Sequence, residues 1–197
     1  MSLDNLSVES YISAPTELDV DFPDISAELS SALSQTVSRV SDFYFVKWAG
    51  FKRIRKIMIK DGVLKPFSLR LEKKLKPRAY MRDEGEVYLS FGLMASRSSL
   101  AALSVYLHEL SHVYLSQMED YPRLKELQKE FRSRYGDNPL CEVMSPIEMY
   151  ANILTIRLLR EIEKNDSNEG HKKRLETIIN NRHVKLEYLA NELKALK

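Results

Sequence analysis

The segment from about Ser98 to Met118 constrains this chain more than any other. It reads as one helix, and its stretch from Ser104 through Leu115 is apolar nearly all round, which predicts burial. Inside it lies Val105-Tyr106-Leu107-His108-Glu109-Leu110-Ser111-His112-Val113-Tyr114, the pattern H-E-x-x-H. Two histidines and a glutamate in a buried helix are costly unless something satisfies them. Residues i and i+4 share a helix face, so His108 and His112 can present imidazole nitrogens to one zinc ion. Glu109 stands beside them, where a carboxylate can take a proton from a water that the metal activates. The competing account is a set of hydrogen-bonded polar residues with no metal.

A catalytic zinc keeps three protein ligands and one open position, so a third ligand must come from elsewhere. The candidates are Glu148, Glu142, Asp120, Glu119, His171 and His183. Glu148 leads, because it opens a helix with Ser145 at the N-cap and Pro146 at the first helical position. Asn152 falls one turn further on, where it would hold a ligating side chain in place. The same spacing, Ser145-x-x-Glu148, is also a capping box in which the glutamate bonds the serine's backbone N–H. Ligation and capping are therefore rival expectations. Glu142 stands next, while His171 and His183 lie in a charged terminal helix and are expected to face solvent.

The 197 residues suit one domain, and 44% hydrophobic with 29% charged residues is ordinary for a soluble globular protein. No apolar run approaches the length of a membrane span. Met1-Ser2-Leu3-Asp4-Asn5 lacks the start of a signal peptide. The single cysteine, Cys141, excludes an internal disulfide and fits a reducing compartment, so a cytoplasmic location is expected. Residues 1–30 hold seven acidic side chains and no Lys or Arg, whereas residues 52–78 hold eleven basic ones against Asp61 and Glu72. Such a cluster can attract nucleic acid or acidic peptide. It also serves as a solvated face, or as a dock for the acidic N-terminus.

Residues 1–24 read as a polar, proline-punctuated lead. Asp24 or Ser26 caps a helix carrying Ile25, Leu29, Leu33, Val37, Val40 and Tyr44. An aromatic cluster, Phe43 to Phe51, follows. From Arg53 the pattern suggests strand through Ile54, Ile57, Met58 and Ile59, turning at Asp61-Gly62. Phe67, Leu69 and Leu71 suit a second strand, and residues 79–81 with 86–91 make a hairpin. Beyond the H-E-x-x-H helix come a charged helix over 122–135, a loop over 137–144, the Glu148 helix and a polar linker over 165–170. A last helix from about His171 puts Leu175, Ile179, Leu186, Leu189, Leu193 and Leu196 on one stripe, interrupted by Arg182. The expected organisation is a lead over 1–24, a domain over 25–165 and a C-terminal amphipathic helix over 166–197. That helix packs on the domain or on a partner, including a second copy of the chain.

The strand-rich segment, then V-Y-L-H-E-L-S-H-V-Y, then E-M-Y-A-N at the head of a helix, resembles the gluzincin class of zinc metallopeptidases. The nearest likeness is to the ImmA/IrrE-type metallopeptidases, followed by minigluzincin-like peptidases, and it covers roughly residues 50–162. It implies an α+β, zincin-like fold in which a small, mostly antiparallel sheet packs on the active-site helix, with extra N- and C-terminal helices. It makes His108, His112 and Glu148 the ligands and Glu109 the general base. Asn152 stands where many gluzincins have aspartate, and Ser111 where many ImmA/IrrE-type members have glycine. SprT-like peptidases place a third histidine soon after the motif, and here none lies between His112 and His171.

The implied reaction is hydrolysis of a protein or peptide substrate. Tyr150 is a candidate oxyanion stabiliser, with Tyr114, Arg157 and His171 beside it. The strand 86–91 is the expected edge on which an extended peptide pairs. The acidic run 17–24 is a candidate inhibitor of the site. The alternative is a non-catalytic metal-binding or nucleic-acid-associated module that uses the same fold.

Overall fold

The computed structural model describes residues 6–16, 25–38, 44–82, 85–96, 98–136 and 139–195. Within them the chain is α+β and mostly helical. Three helices come first: α1 (Val8–Ser13), α2 (Ala27–Ser38) and α3 (Tyr44–Lys60). Strands β1 (Ser68–Glu72), β2 (Ala79–Arg82) and β3 (Glu86–Ser90) follow. The remainder is helical: α4 (Phe91–Met94), α5 (Ser99–Gln117), α6 (Tyr121–Tyr135), α7 (Pro139–Val143), α8 (Pro146–Asn165) and α9 (Glu169–Lys194).

Helix α5 is the centre of the molecule. Ser98 caps it by accepting from Ala101 N–H, and Leu103, Tyr106, Leu107, Leu110 and Val113 are fully enclosed. It packs chiefly against α8, with β2, α2 and α9 around it. Tyr106 fits that enclosure because its ring stacks on Phe51 at 4.4 Å and its hydroxyl donates to Phe51 O at 3.0 Å. The expected helix over 98–118 is therefore formed almost to the residue.

The segment 53–59, expected to be strand, is instead the second half of α3. Phe51, Ile54, Ile57 and Met58 are buried, whereas Lys52, Arg53, Lys56 and Lys60 are exposed. That spacing of three and four is helical, and a run of Ile and Met masks it. Gly62, at φ 73, then turns the chain toward β1. The basic cluster of residues 52–78 is thus divided between the outer face of α3, β1 and the loop after it. Several of its members hold near acids: Lys60 to Glu28 at 2.6 Å, Arg70 to Glu86 at 2.9 Å and Arg78 to Glu72 at 3.0 Å. These exposed pairs contribute little stability each.

The sheet is mixed rather than mostly antiparallel. Its order is β1-β3-β2, with β1 parallel to β3 and β2 antiparallel to it. The hairpin over 79–91 forms as expected, but β3 sits in the middle and cannot be a free edge. Alternation puts Leu69, Leu71, Val87, Leu89, Ala79 and Met81 on the inward face. The outward face carries Tyr80 stacked on Tyr88 at 5.2 Å. The loop after β1 lies hard against α4: Gly92 N–H donates to Lys74 O at 2.9 Å, and a Cβ at Gly92 would come within 1.8 Å of Leu75 O.

The N-terminal lead also differs from expectation. Leu6, Val8, Tyr11 and Ile12 are buried, and α1 packs on α6 and α9. Ser7 and Ser10 close a capping box on a helix too short for its periodicity to show in the sequence. The acidic run 17–24, Val40, Phe43 and Leu196 lie outside the described residues. The expected loop over 137–144 contains α7, and α9 begins at Glu169, capped by the Asn168 side chain. The stripe of α9 is covered by its own chain, chiefly by α8. Among the described residues, no helix is long and apolar enough to cross a membrane.

Candidate metal centre

Helix α5 carries His108 and His112 one turn apart, and the first turn of α8 brings Glu148 to them. The imidazole Nε2 atoms are 3.2 Å apart. Glu148 Oε1 lies 3.2 Å from His112 Nε2, and Oε2 lies 3.4 Å from His108 Nε2. These three residues form a group able to hold a metal ion. Four donors at about 2.0–2.2 Å in a tetrahedron around zinc stand about 3.3–3.6 Å from one another. The observed separations, 3.2–3.4 Å with a different carboxylate oxygen nearest each imidazole, come close to that spacing, so the residues fit the ion that their chemistry implies.

The capping box expected at Ser145 and Glu148 is not formed. Ser145 is the N-cap residue of α8, yet its side chain makes no cap hydrogen bond, and its buried Oγ has no partner. The Glu148 carboxylate points at the histidines instead of closing a capping box. Glu142, Glu119 and Asp120 are exposed and stand outside the group. His171, expected in solvent, is buried, with Nδ1 3.5 Å from Asp166 Oδ2 at the head of α9. His183 pairs with Arg160 at 2.7 Å.

Asn152 does not reach an imidazole. Its Nδ2 donates to Glu148 O at 2.8 Å, and its Oδ1 accepts from Arg182 Nη1 at 2.9 Å. It therefore braces the backbone turn that carries Glu148, and His108 Nδ1 is left buried without a partner. Tyr150 follows Glu148 by two residues, about 200° around the helix. It is fully buried with its hydroxyl unpartnered, near Tyr11, so its position is on the far side of α8 from the carboxylate. Sequence reasoning marks Arg182 only as an interruption of the α9 stripe. The signal is its place in the four-three rhythm of buried positions, where an arginine needs a reason.

Charge in the site is set by burial and by Glu148. Burial drives the Glu148 carboxyl toward its neutral form, but hydrogen bonds to His108 and His112 outweigh it and hold the group well below the usual carboxylate range. Burial lowers the His108 pKa, with His112 and Arg182 reinforcing it against Glu148. For His112, burial opposes the charged form, yet Glu148 and Glu109 prevail and raise its pKa. Burial pushes Glu109 up to about 7, aided by Glu148 and resisted by His112 and by a hydrogen bond from Met81 N–H. That N–H belongs to β2. Ser90 N–H donates to Arg78 O at 2.9 Å just before β2, so alternate residues Ala79 and Met81 turn their backbone groups away from β3. Among the described residues, the edge of β2 that no strand pairs thus faces Glu109.

Comparison with known proteins found no matching family model, curated protein or solved structure.

The shifts carry a sign. His112, raised, stabilises the metal-free fold below about pH 6.5 and loses that contribution as pH rises through its folded value. Glu109, also raised, keeps its proton in the fold to about 7 while the unfolded carboxyl ionises from about 4.5, so its contribution is lost over a lower window, from about pH 4.5 to about 7. Metal binding has the opposite slope, because ligands must shed protons first. The melting-temperature gain of zinc over chelator should therefore grow from about pH 6 to about pH 8. A gain independent of pH would contradict this assignment of ligands.

Proposed function

We propose that this chain is a zinc-dependent, gluzincin-like metallopeptidase of zincin type, with His108, His112 and Glu148 as ligands and Glu109 as general base. One observation supports the reading above others: the Glu148 carboxylate leaves its capping role and completes a donor set at tetrahedral spacing. When bound, zinc would supply an activated water and polarise the scissile carbonyl.

The chain's own residues supply the rest. Glu109 holds the transferred proton on its carboxylate and passes it to the leaving amine, a task suited to a group whose burial brings its pKa to about 7. The free edge of β2 takes the substrate role expected of the strand 86–91. Backbone groups of Ala79 and the Met81 carbonyl would pair with an extended peptide, beside the Met81 N–H that Glu109 holds, and such pairing carries little sequence preference. The peptide would lie with its backbone beside Glu109.

The test is metal content. Protein purified without chelator, or titrated with zinc, should hold about one zinc per chain, and His108→Ala should hold far less. No zinc in either wild-type preparation would end the metallopeptidase reading.

A further inference from the structure

Six positions on α9 follow a four-three rhythm: 175, 179, 182, 186, 189 and 193. Five carry buried Leu or Ile, and the sixth is Arg182. Its guanidinium spans the two helices that carry the metal-centre residues. Nε donates to Ser104 Oγ at 2.9 Å and Nη2 to Ser104 O at 3.1 Å, both on α5. Nη1 donates to Asn152 Oδ1 at 2.9 Å on α8. Ser104 stands one turn before His108, and Asn152 stands one turn after Glu148, whose carbonyl it holds at 2.8 Å.

We propose that Arg182 is a positioning residue that fixes α5 against α8 and thereby sets the spacing of His108, His112 and Glu148. The proposal rests on the metal-centre reading. Only a planar fork of donors can reach a hydroxyl and a carbonyl on one helix and an amide on another at once. Stability does not explain the choice. Arg182 makes no ion pair among the described residues, and burial disfavours its charge. In such a seam a hydrophobic side chain commonly packs as well or better than a buried ion. A second tie, Ser111 Oγ to Thr155 Oγ1 at 3.3 Å, also joins α5 to α8, so losing Arg182 leaves the helices together but loosely set at the ligands.

This gives a signature that a packing role lacks. Arg182→Leu should fill the seam and melt near the wild-type temperature, yet bind zinc roughly 10- to 100-fold more weakly, the usual effect of losing an outer partner of a ligand. The cobalt-substituted protein should show altered ligand-field absorption. Arg182→Lys keeps the charge but not the fork, and should resemble Arg182→Leu in both readouts. It also serves as the working variant if Arg182→Leu does not fold. Leu186→Ala, in the same seam, should lower the melting temperature and leave zinc affinity and cobalt spectrum unchanged. The proposal is overturned if the arginine variants match wild type in affinity and spectrum, if lysine restores both, or if Leu186→Ala weakens zinc equally. Wild-type protein that takes up no metal would overturn the metal reading together with this inference, and so is distinguished from these results.

Discussion

Glu148→Ala should strip the protein of tightly held zinc while leaving α8 folded. The carboxylate meets both imidazoles through its two oxygens, at 3.2 and 3.4 Å, so its loss removes one of three ligands. The fall in affinity should exceed the roughly 10- to 100-fold that follows loss of an outer partner. Helix α8 should survive, because Glu148 makes no capping bond there and Met149, Tyr150, Ala151 and Leu154 remain buried. Ser145→Ala is the matched control. A formed serine cap contributes about 0.5–2 kcal/mol, but this Oγ caps nothing, so the variant should lose less than that and keep its zinc. Glu142→Ala, at an exposed position outside the group, should also keep it. Equal zinc in wild type and Glu148→Ala would transfer the third ligand to another residue.

What the sequence disclosed and what it hid divide along physical lines. The H-E-x-x-H helix was legible because two histidines and a glutamate are conspicuous in an otherwise apolar stretch, and i,i+4 spacing fixes their common face. Glu148 was legible as a candidate, but its role was not. Capping box and ligand share one spacing, and only the direction of the side chain separates them. The hairpin was equally plain, since Asp83-Glu84-Gly85 sits between two alternating runs. The place of β1 beside β3 was not, because pairing order between strands leaves no local trace in composition. That order decides which strand has a free edge, and it moves the expected substrate edge from β3 to β2.

Two other misreadings share a cause. Ile54, Ile57, Met58 and Ile59 are β-prone as types, yet their spacing belongs to a helix, and burial of one face overrode propensity. Helix α1 has six residues, too few for a period to be seen, and its three buried side chains find their partners far along the chain, in α6, in α9 and, for the Tyr11 hydroxyl, at Met144 O. Arg182 is the instructive case. A charged residue in an apolar stripe was a visible anomaly, but its partners lie 78 and 30 residues away in the chain, on helices whose mutual approach no local pattern encodes.

Glu109→Gln should keep its zinc and lose about 10²- to 10⁴-fold of any peptide hydrolysis, the range over which a positioned acid–base group acts. The two outcomes separate because Glu109 faces the site without belonging to the donor group. Glutamine preserves length and an oxygen that can accept from Met81 N–H, so the helix and the β2 contact should stand. It also replaces a buried carboxyl with a neutral amide, which relieves burial of charge, and its melting temperature should not fall. Only the ability to take up and return a proton is removed. Cleavage of a mixed fluorogenic peptide library, read alongside zinc content, tests both halves in one preparation. A variant that retains full activity would assign proton transfer to another residue. A wild type that carries zinc and cleaves nothing would retire the peptidase reading and leave a metal centre whose work is binding.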